Sequence, residues 1–369
     1  GRLDDHLAQP EVIRIEDGLI SGFEPGPEPD RVFDAGGSVV MPGLIDSHAH
    51  VVFGDWTPRQ NTLGWIESSL HGGVTMMMSA SEVHLPGRPR DREGVKALAV
   101  TAQRAFESFR PGGVKVLAGS VIIEPTLEPE DFKELRGKGV GLAKVGFGDF
   151  SPQADAAPLV RAAQAAGFTV MNHTGGASIP DSSPVTIEDV LALGCDIIGH
   201  ANGGTTALAD QDLERLFDAP GAIQLVQAGN LRSSIRIVKL AAEFNALDRI
   251  VLATDTPTGT GVMPLGMIKT ICEICSLTGI AATQAIAMAT GNNGRVLGRD
   301  EGILEVGHPA DLFCAFAPLG SSCRDPIEAI EFGDIPGIAA VLVDGQVKAM
   351  RSRNTPAPDG FCQLIEKGE

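Results

Sequence analysis

The sequence predicts an α/β fold, a (β/α)8 barrel of the TIM type with a small β-sandwich domain formed from both chain termini. Eight short apolar runs recur at intervals of about 25 to 40 residues, with helical stretches between most of them. Glycines stand just ahead of several runs, where a helix must stop before a strand. Each end of the chain carries an Asp-Gly pair between apolar segments, the signature of a hairpin.

Taken in order, residues 1–42 open with a strand over 11–16, the turn Asp17-Gly18 and a second strand over 19–23. The barrel is expected over 43–302, with strands at 44–51, 74–80, 115–122, 142–147, 169–173, 196–200, 222–226 and 249–254. Helical stretches lie at 95–109, 156–166, 187–193 and 235–244; Pro158 suits the first turn of the second of these. Gly73, Gly139, Gly167 and Gly194 are the helix stops. A doubly wound open sheet is the competing arrangement for the same alternation. Residues 303–369 repeat the hairpin, with 340–343, Asp344-Gly345 and 346–350. Neither end has the apolar surface for a core of its own, so the two are expected to pair into one β-domain.

Composition bounds what such a chain does. Its 369 residues fit one barrel of roughly 250 residues plus a smaller piece. The net charge of −18, from 29 basic and 47 acidic side chains, lacks the basic footprint of a nucleic-acid binder and disfavours an anionic membrane. No apolar run approaches the roughly 20 residues that span a bilayer. Residues 1–6 show no basic start followed by an apolar stretch, so a secretory leader is not read. Six scattered cysteines suit a reducing compartment, and a cytoplasmic location is expected. Cys272 and Cys275, on one face of an apolar helix and without a second cysteine pair, read as core.

The chemistry begins in the first barrel strand, at Asp46-Ser47-His48-Ala49-His50. Side chains two apart on a strand share a face, so His48 and His50 project together into the barrel mouth and suit a transition metal. His173 ends the fifth strand, His200 the sixth and Asp255 the eighth. Barrel active sites are assembled at these ends. Of the other histidines, His84 after the second strand is the one candidate for the pocket, while His6, His71 and His308 read as structural. Lys144 lies among apolar residues of the fourth strand. A buried ammonium is costly unless paired, whereas a neutral amine reacts with CO2 to a carbamate whose two oxygens reach two ions. The competing place for Lys144 is a strand–helix interface, or a pairing with Asp149.

Together with the run from Met41 to His50 and Gly307-His308-Pro309-Ala310-Asp311-Leu312, this ordered set resembles the amidohydrolase superfamily over essentially the whole chain. Within it, His173-Thr174-Gly175-Gly176, His200-Ala201-Asn202-Gly203-Gly204 and the segment from Asp255 to Gly261 resemble members that open a cyclic amide. The resemblance implies two divalent ions, zinc foremost, with iron and manganese as alternatives. His48, His50 and Asp255 would bind the more buried ion, His173 and His200 the second, and Lys144, N-carboxylated, would bridge them. It implies cleavage of the C–N bond of a small lactam, imide or ureide by a hydroxide shared between the ions, with Asp255 as general base. A small-molecule substrate and a homo-oligomer, a tetramer by analogy, complete the expectation.

Around the metals, Asn202, Gln227, Asn230 and Thr256 are candidates to hydrogen-bond a ring amide, and Arg232 to meet a substrate carboxylate in bidentate fashion. No phosphate-cradling glycine motif is present. Three other functions stay open on sequence alone. A mononuclear deaminase would not need Lys144; a two-metal esterase, carbamate hydrolase or phosphotriesterase would share every ligand; a non-catalytic scaffold would have lost ligands.

Overall fold

The computed structural model describes residues 1–6, 8, 12–51, 62–82, 87–177, 182–257 and 261–365. His84 therefore lies outside the described residues, as do 258–260 of the segment after the eighth barrel strand. The chain opens with the hairpin β1 (Arg14–Glu16) and β2 (Leu19–Gly22), then β3 (Val32–Asp34) and β4 (Val39–Pro42). Barrel strands follow: β5 (Leu44–Ala49), β6 (Val74–Ser79), β7 (Lys115–Leu117), β8 (Ser120–Ile122), β9 (Leu142–Val145), β10 (Thr169–Asn172), β11 (Ile197–Ile198), β12 (Ala222–Val226) and β13 (Ile250–Ala253). The chain ends in β14 (Leu312–Phe316), β15 (Gly337–Val343), β16 (Gln346–Met350) and β17 (Gln363–Ile365).

Helices alternate with the barrel strands. They are α1 (Thr62–Leu70), α2 (Arg92–Glu107), α3 (Pro129–Gly137), α4 (Ala157–Ala165), α5 (Ile187–Leu193), α6 (Leu231–Glu243) and α7 (Gly266–Thr278). Then come α8 (Ala282–Ala289), α9 (Gly291–Leu297) and, among the terminal strands, α10 (Pro326–Phe332). Their ends follow local chemistry. Asp91 caps α2 by accepting from the Gly94 N–H, Thr186 and Asp189 form a capping box on α5, and Gly194 closes α5 in the left-handed region. None of these helices is long and apolar enough to cross a membrane.

The strands pair in parallel, in sequence order, and are buried on both faces, as their near-continuous apolar runs require. Two backbone bonds close the circle: Asp255 N–H donates to the His48 carbonyl and His50 N–H to the Thr256 carbonyl, each at 2.8 Å. The third barrel strand departs from expectation. The sequence reads as one strand over 115–122, but the chain breaks at Ala118-Gly119, so that β7 pairs with β6 and β8 with β9. Gly119 has φ +92°, and a Cβ there would lie 2.8 Å from the Ala99 carbonyl oxygen of α2. The two amides freed at the break donate to one oxygen of buried Glu82, Gly119 N–H at 2.7 Å and Ser120 N–H at 2.8 Å. A carboxylate thus replaces a strand neighbour.

Most of the core lies between strands and helices. A separate cluster of Met78, Ala80, Leu142, Met171 and Ile197 comes from the alternate face of four strands and lines the barrel interior. At the chain ends, the Asp17-Gly18 and Asp344-Gly345 turns take positive φ at both residues, as tight hairpins need. Strands from the two ends do pair. β4 adds to the sheet β14–β15–β16, and β3 pairs with β17, all antiparallel.

An ion cluster ties this terminal sheet to the barrel. Lys115 Nζ of β7 lies 2.8 Å from Asp311 Oδ2, 2.7 Å from Asp344 Oδ1 and 3.3 Å from Glu301 Oε1. Removing this cation leaves Asp311 buried without a cationic partner, while Asp344 keeps Arg110 and Glu301 keeps Arg299. Lys115→Met is expected to lower the unfolding free energy by about 3 kcal/mol in urea denaturation, the size found for breaking a buried ion pair. A loss below about 0.5 kcal/mol, the range of ordinary surface substitutions, would show that the cluster holds nothing together.

Candidate metal centre

The inward face of β5 sends His48 and His50 to the mouth of the barrel, where His173 follows β10, His200 follows β11 and Asp255 follows β13. All four imidazoles are buried, and Lys144 of β9 has no exposed surface at all. His48 Nε2 and His50 Nε2 both face Asp255 Oδ1, at 3.3 and 3.2 Å. His173 Nδ1 faces His200 Nε2 at 3.0 Å, while His173 Nε2 meets the Gly176 carbonyl at 2.9 Å. The rings of His48 and His200 stand 5.3 Å apart and join the two groups.

Two of these residues have strained backbones. His200 at φ +35° and Asp255 at φ +59° occupy the left-handed region, which a side chain other than glycine enters at a cost. Hydrogen bonds hold both there: His200 N–H to Gln224 Oε1 at 3.3 Å, and Asp255 N–H to the His48 carbonyl at 2.8 Å. The loop after His173 is fixed by close approach. Gly175 has φ +97°, and a Cβ there would fall 1.7 Å from the Thr206 carbonyl oxygen.

Burial sets the charge states. It pushes His173 down to about 4 and His48 and His200 well below the ordinary imidazole range, with the Lys144 charge adding to the effect. His48, His173 and His200 are therefore neutral at physiological pH. Burial alone would raise Asp255, but His48, His50 and Lys144 outweigh it and hold the carboxyl below its usual range. Burial also takes Lys144 from 10.5 to about 7, only partly opposed by Asp255. Its amine rests 3.2 Å from Met171 Sδ and 5.8 Å from the centre of the Phe147 ring, and the Phe147 ring packs 5.0 Å from that of His173. Lys144 points into the barrel, not into a strand–helix interface.

Several supporting residues escaped the sequence reading. Asp46 accepts from Thr254 Oγ1 at 2.6 Å and Thr254 N–H at 3.0 Å, which braces the first barrel strand against the last. Gln224 of β12 is buried, with Oε1 2.6 Å from His48 Nδ1 and Nε2 2.9 Å from Ser47 Oγ. Arg88 and Glu124 form a buried ion pair. Arg88 donates to the Phe147 carbonyl at 2.5 Å, and Glu124 Oε2 accepts from Asp149 N–H at 2.9 Å, so the pair clamps the loop carrying Phe147. The available signal was a polar residue inside an apolar run, as in Ala222-Ile223-Gln224-Leu225-Val226.

The residues expected to bind substrate are placed differently from the ligands. Asn202 is fully buried, donates to the Val226 carbonyl and Ser234 Oγ at 2.8 Å each, and accepts from Val226 N–H at 2.9 Å. Asn230 caps α6 by accepting from Ser233 N–H at 3.0 Å. Arg232 is 79% exposed and pairs with Asp210, so its guanidinium is turned to solvent. Gln227, after β12, accepts from Thr270 Oγ1 and lies 3.4 Å from Glu273 Oε2. Thr256, after β13, donates to the Gly261 carbonyl at 2.9 Å and accepts from Met263 N–H at 3.2 Å. The structure gathers the six candidate ligands; these five are engaged with other parts of the chain.

The gathered donors suit transition-metal ions. Ligand atoms of His48, His200 and Asp255 lie within 4.8 Å of one another. Neutral imidazoles beside an anionic carboxylate are the donor chemistry of zinc and its neighbours. His173 and His200 aim ring nitrogens at each other across 3.0 Å, where only a shared proton or a cation relieves the repulsion of two lone pairs.

A model of the amidohydrolase family matches residues 39–348. The chain is 44% identical over 373 residues to the enamidase of Eubacterium barkeri, spanning 99% of this chain and 96% of that protein. It is 26% identical over 363 residues to an imidazolonepropionase of Ectopseudomonas mendocina, spanning 83% and 86%. The crystal structure of enamidase superposes with a TM-score of 0.90 at 43% identity, over 95% of this chain and 93% of that one. A beta-aspartyl dipeptidase of Fervidobacterium islandicum superposes with a TM-score of 0.61 at 16% identity, over 91% of each chain, a likeness of fold alone.

Proposed function

This chain belongs to the amidohydrolase family, and on that premise we propose that it is a two-metal hydrolase that opens a small cyclic amide at its C–N bond. The observation that carries this is the convergence of four buried imidazoles, Asp255 and a buried amine that desolvation lowers to about 7 at one barrel mouth. Identity to enamidase across almost the whole of both chains supports the cyclic amide as substrate class.

On this reading His48 and His50, through Nε2, would hold one ion with Asp255, and His173 Nδ1 and His200 Nε2 would hold the second. Zinc, iron and manganese all suit these donors, zinc best. The ions supply Lewis-acid polarisation of the amide carbonyl and activation of water at neutral pH. The chain's own groups do the rest. Lys144 in its neutral form donates its Nζ lone pair to the carbon of CO2, releases one proton to water and becomes an anionic carbamate, which removes the electrostatic conflict between an ammonium and bound cations. Asp255 stays ionised and stands beside both strand-one imidazoles, so its free oxygen is the group to take the proton of the attacking water and return it to the leaving nitrogen. Gln227 and Thr256 directly follow two barrel strands at the mouth; each would contact substrate by exchanging one bond it now makes within the chain. Asn202 and Asn230 would have to give up packing and capping bonds, and Arg232 would have to swing from Asp210.

Metal analysis with a substrate panel tests the function. Lactams, imides and cyclic ureides are expected to be opened by a chain carrying about two ions, and chelation to abolish turnover. Ammonia release from an amino-heterocycle by a chain with a single ion would replace the proposal with a deaminase. Turnover of esters or carbamates alone would replace it with those hydrolases. Asp255→Asn should lower kcat by about 10²–10⁴-fold while much of the metal remains; near-wild-type turnover would refute its role.

The sign of the Lys144 shift gives a pH test. With a pKa of about 7 the amine is mostly protonated at pH 6 and mostly neutral at pH 8. The CO2-dependent rate of metal reconstitution should therefore be about tenfold steeper at pH 8 than at pH 6 at equal dissolved CO2. A rate indifferent to CO2 removes the carbamate. We further propose that 1–42 and 303–369 form one β-sandwich beside a barrel of 43–302. Limited proteolysis should release or retain the two ends together, and loss of one with the other still protected would contradict that unit.

A further inference from the structure

Gln224 is the single polar side chain of β12 and has no exposed surface. Both of its ends meet groups of fixed character. The Ser47 carbonyl oxygen, which can only accept, lies 3.2 Å from Gln224 Nε2, with Ser47 Oγ at 2.9 Å. The His200 backbone N–H, which can only donate, lies 3.3 Å from Gln224 Oε1. Turning the amide over would set oxygen against oxygen at Ser47 and N–H against N–H at His200, so its orientation is determined. Oε1 is then also an acceptor where it meets His48 Nδ1 at 2.6 Å, and Nδ1 must carry the hydrogen. The ring's lone pair is left on Nε2, the nitrogen that faces Asp255 Oδ1 at 3.3 Å.

One oxygen atom thus holds the side chain of a first-strand histidine and the left-handed backbone of a sixth-strand histidine. On the function proposed above, which this inference presupposes, those two residues serve different ions. We propose that Gln224, which offers no ligand itself, is the positioning residue of the metal centre: it selects the ligating tautomer of His48 and holds His200 in place, and so sets the affinity of both ion sites. A partner on the far nitrogen of a ligating imidazole fixes both the tautomer and the ring orientation, and its loss typically weakens metal binding by about 10–100-fold. A carboxylic side chain keeps the acceptor and can present a protonated oxygen to Ser47, whereas a thioether of similar length keeps only the volume.

The test uses the full chain, stripped of metal and titrated with zinc against a chelator of known affinity. Gln224→Met is expected to lose about 10–100-fold in zinc affinity, and Gln224→Glu to hold zinc at least as tightly as wild type. Long-range ¹H–¹⁵N spectra of the metal-free wild type should show His48 protonated on Nδ1, with that signature lost in Gln224→Met. A residue that served stability alone would shift the melting temperature and leave zinc affinity and tautomer unchanged; that result overturns the proposal. If Gln224→Met does not fold, the same decision falls to Gln224→Glu and the wild-type spectrum, where weakened zinc binding or a hydrogen on Nε2 overturns it. A wild-type chain that binds no zinc would remove the two-metal function, while a hydrogen on His48 Nδ1 in that chain would still uphold the tautomer selection.

Discussion

A lysine and four imidazoles can share the dry mouth of a barrel only if almost none of them is charged. Desolvation enforces this. The fall of Lys144 from 10.5 to about 7 corresponds to roughly 5 kcal/mol set against its ammonium form. The apolar interior layer of Leu142, Met171 and Ile197 beneath it provides no counter-charge, and its amine faces the Met171 thioether and the Phe147 ring. The same burial keeps His48, His173 and His200 from taking up a second proton. Asp255 is the one group in the cluster driven toward ionisation, because its neighbours favour the anion more than burial opposes it. Neutral donors around a single carboxylate are what cations bind, so the barrel's dryness and its proposed chemistry have one cause.

That dryness has to be combined with strain. His200 and Asp255 each sit in a backbone region costing on the order of 1–3 kcal/mol for a residue other than glycine. Both stand two residues past the end of a short strand, where a regular continuation would carry the side chain along the barrel wall. The left-handed bend turns it across the mouth. Of the other positive-φ residues besides glycine, Asp17 and Asp344 lie in hairpin turns where that conformation is ordinary, Asn245 follows the end of α6 and Arg351 the end of β16. At His200 and Asp255 it persists because neighbouring strands supply hydrogen bonds that a relaxed backbone would lose.

The sequence made the candidate ligands legible for a physical reason. Parallel strands buried on both faces are nearly all apolar, so a histidine, aspartate or lysine at the end of such a run stands out, and His48, His50, Lys144, His173, His200 and Asp255 all did. The Asp-Gly hairpins were legible because their backbone demands particular residues. The broken third strand was not, since Gly119 within 115–122 reads equally as an ordinary strand glycine, and the carboxylate that fills the gap comes from Glu82, nearly forty residues away. Gln224 was hidden because one polar residue in an apolar strand does not disclose which face it takes. Asn230 carried a readable signal, an asparagine three residues before Ser233 at a helix start, and capping accounts for its position. Asn202 lies in a loop and Arg232 in the first turn of α6, and only coordinates reveal that one is a buried staple and the other solvent-facing.

Barrel order explains why the polar groups need so few supports. Going round the circle from the fourth strand through the eighth to the first, every strand contributes to one connected set: Lys144, His173, His200, Gln224, Asp255, then His48 and His50. Strands that carry a shared set of candidate ligands are also hydrogen-bonded neighbours, the first with the eighth and the fifth with the sixth. A shift in either pair would therefore move both partners together. The second and third strands, among the described residues, add no ligand to that arc. They carry the braces instead: Glu82 fills the gap between them, and Arg88 and Glu124 in the loops beyond them clamp the Phe147 loop against Lys144 and His173. One side of the barrel is thus given to holding donors and the other to holding the wall against which they pack, which allows the donor side to remain polar, strained and dry at once.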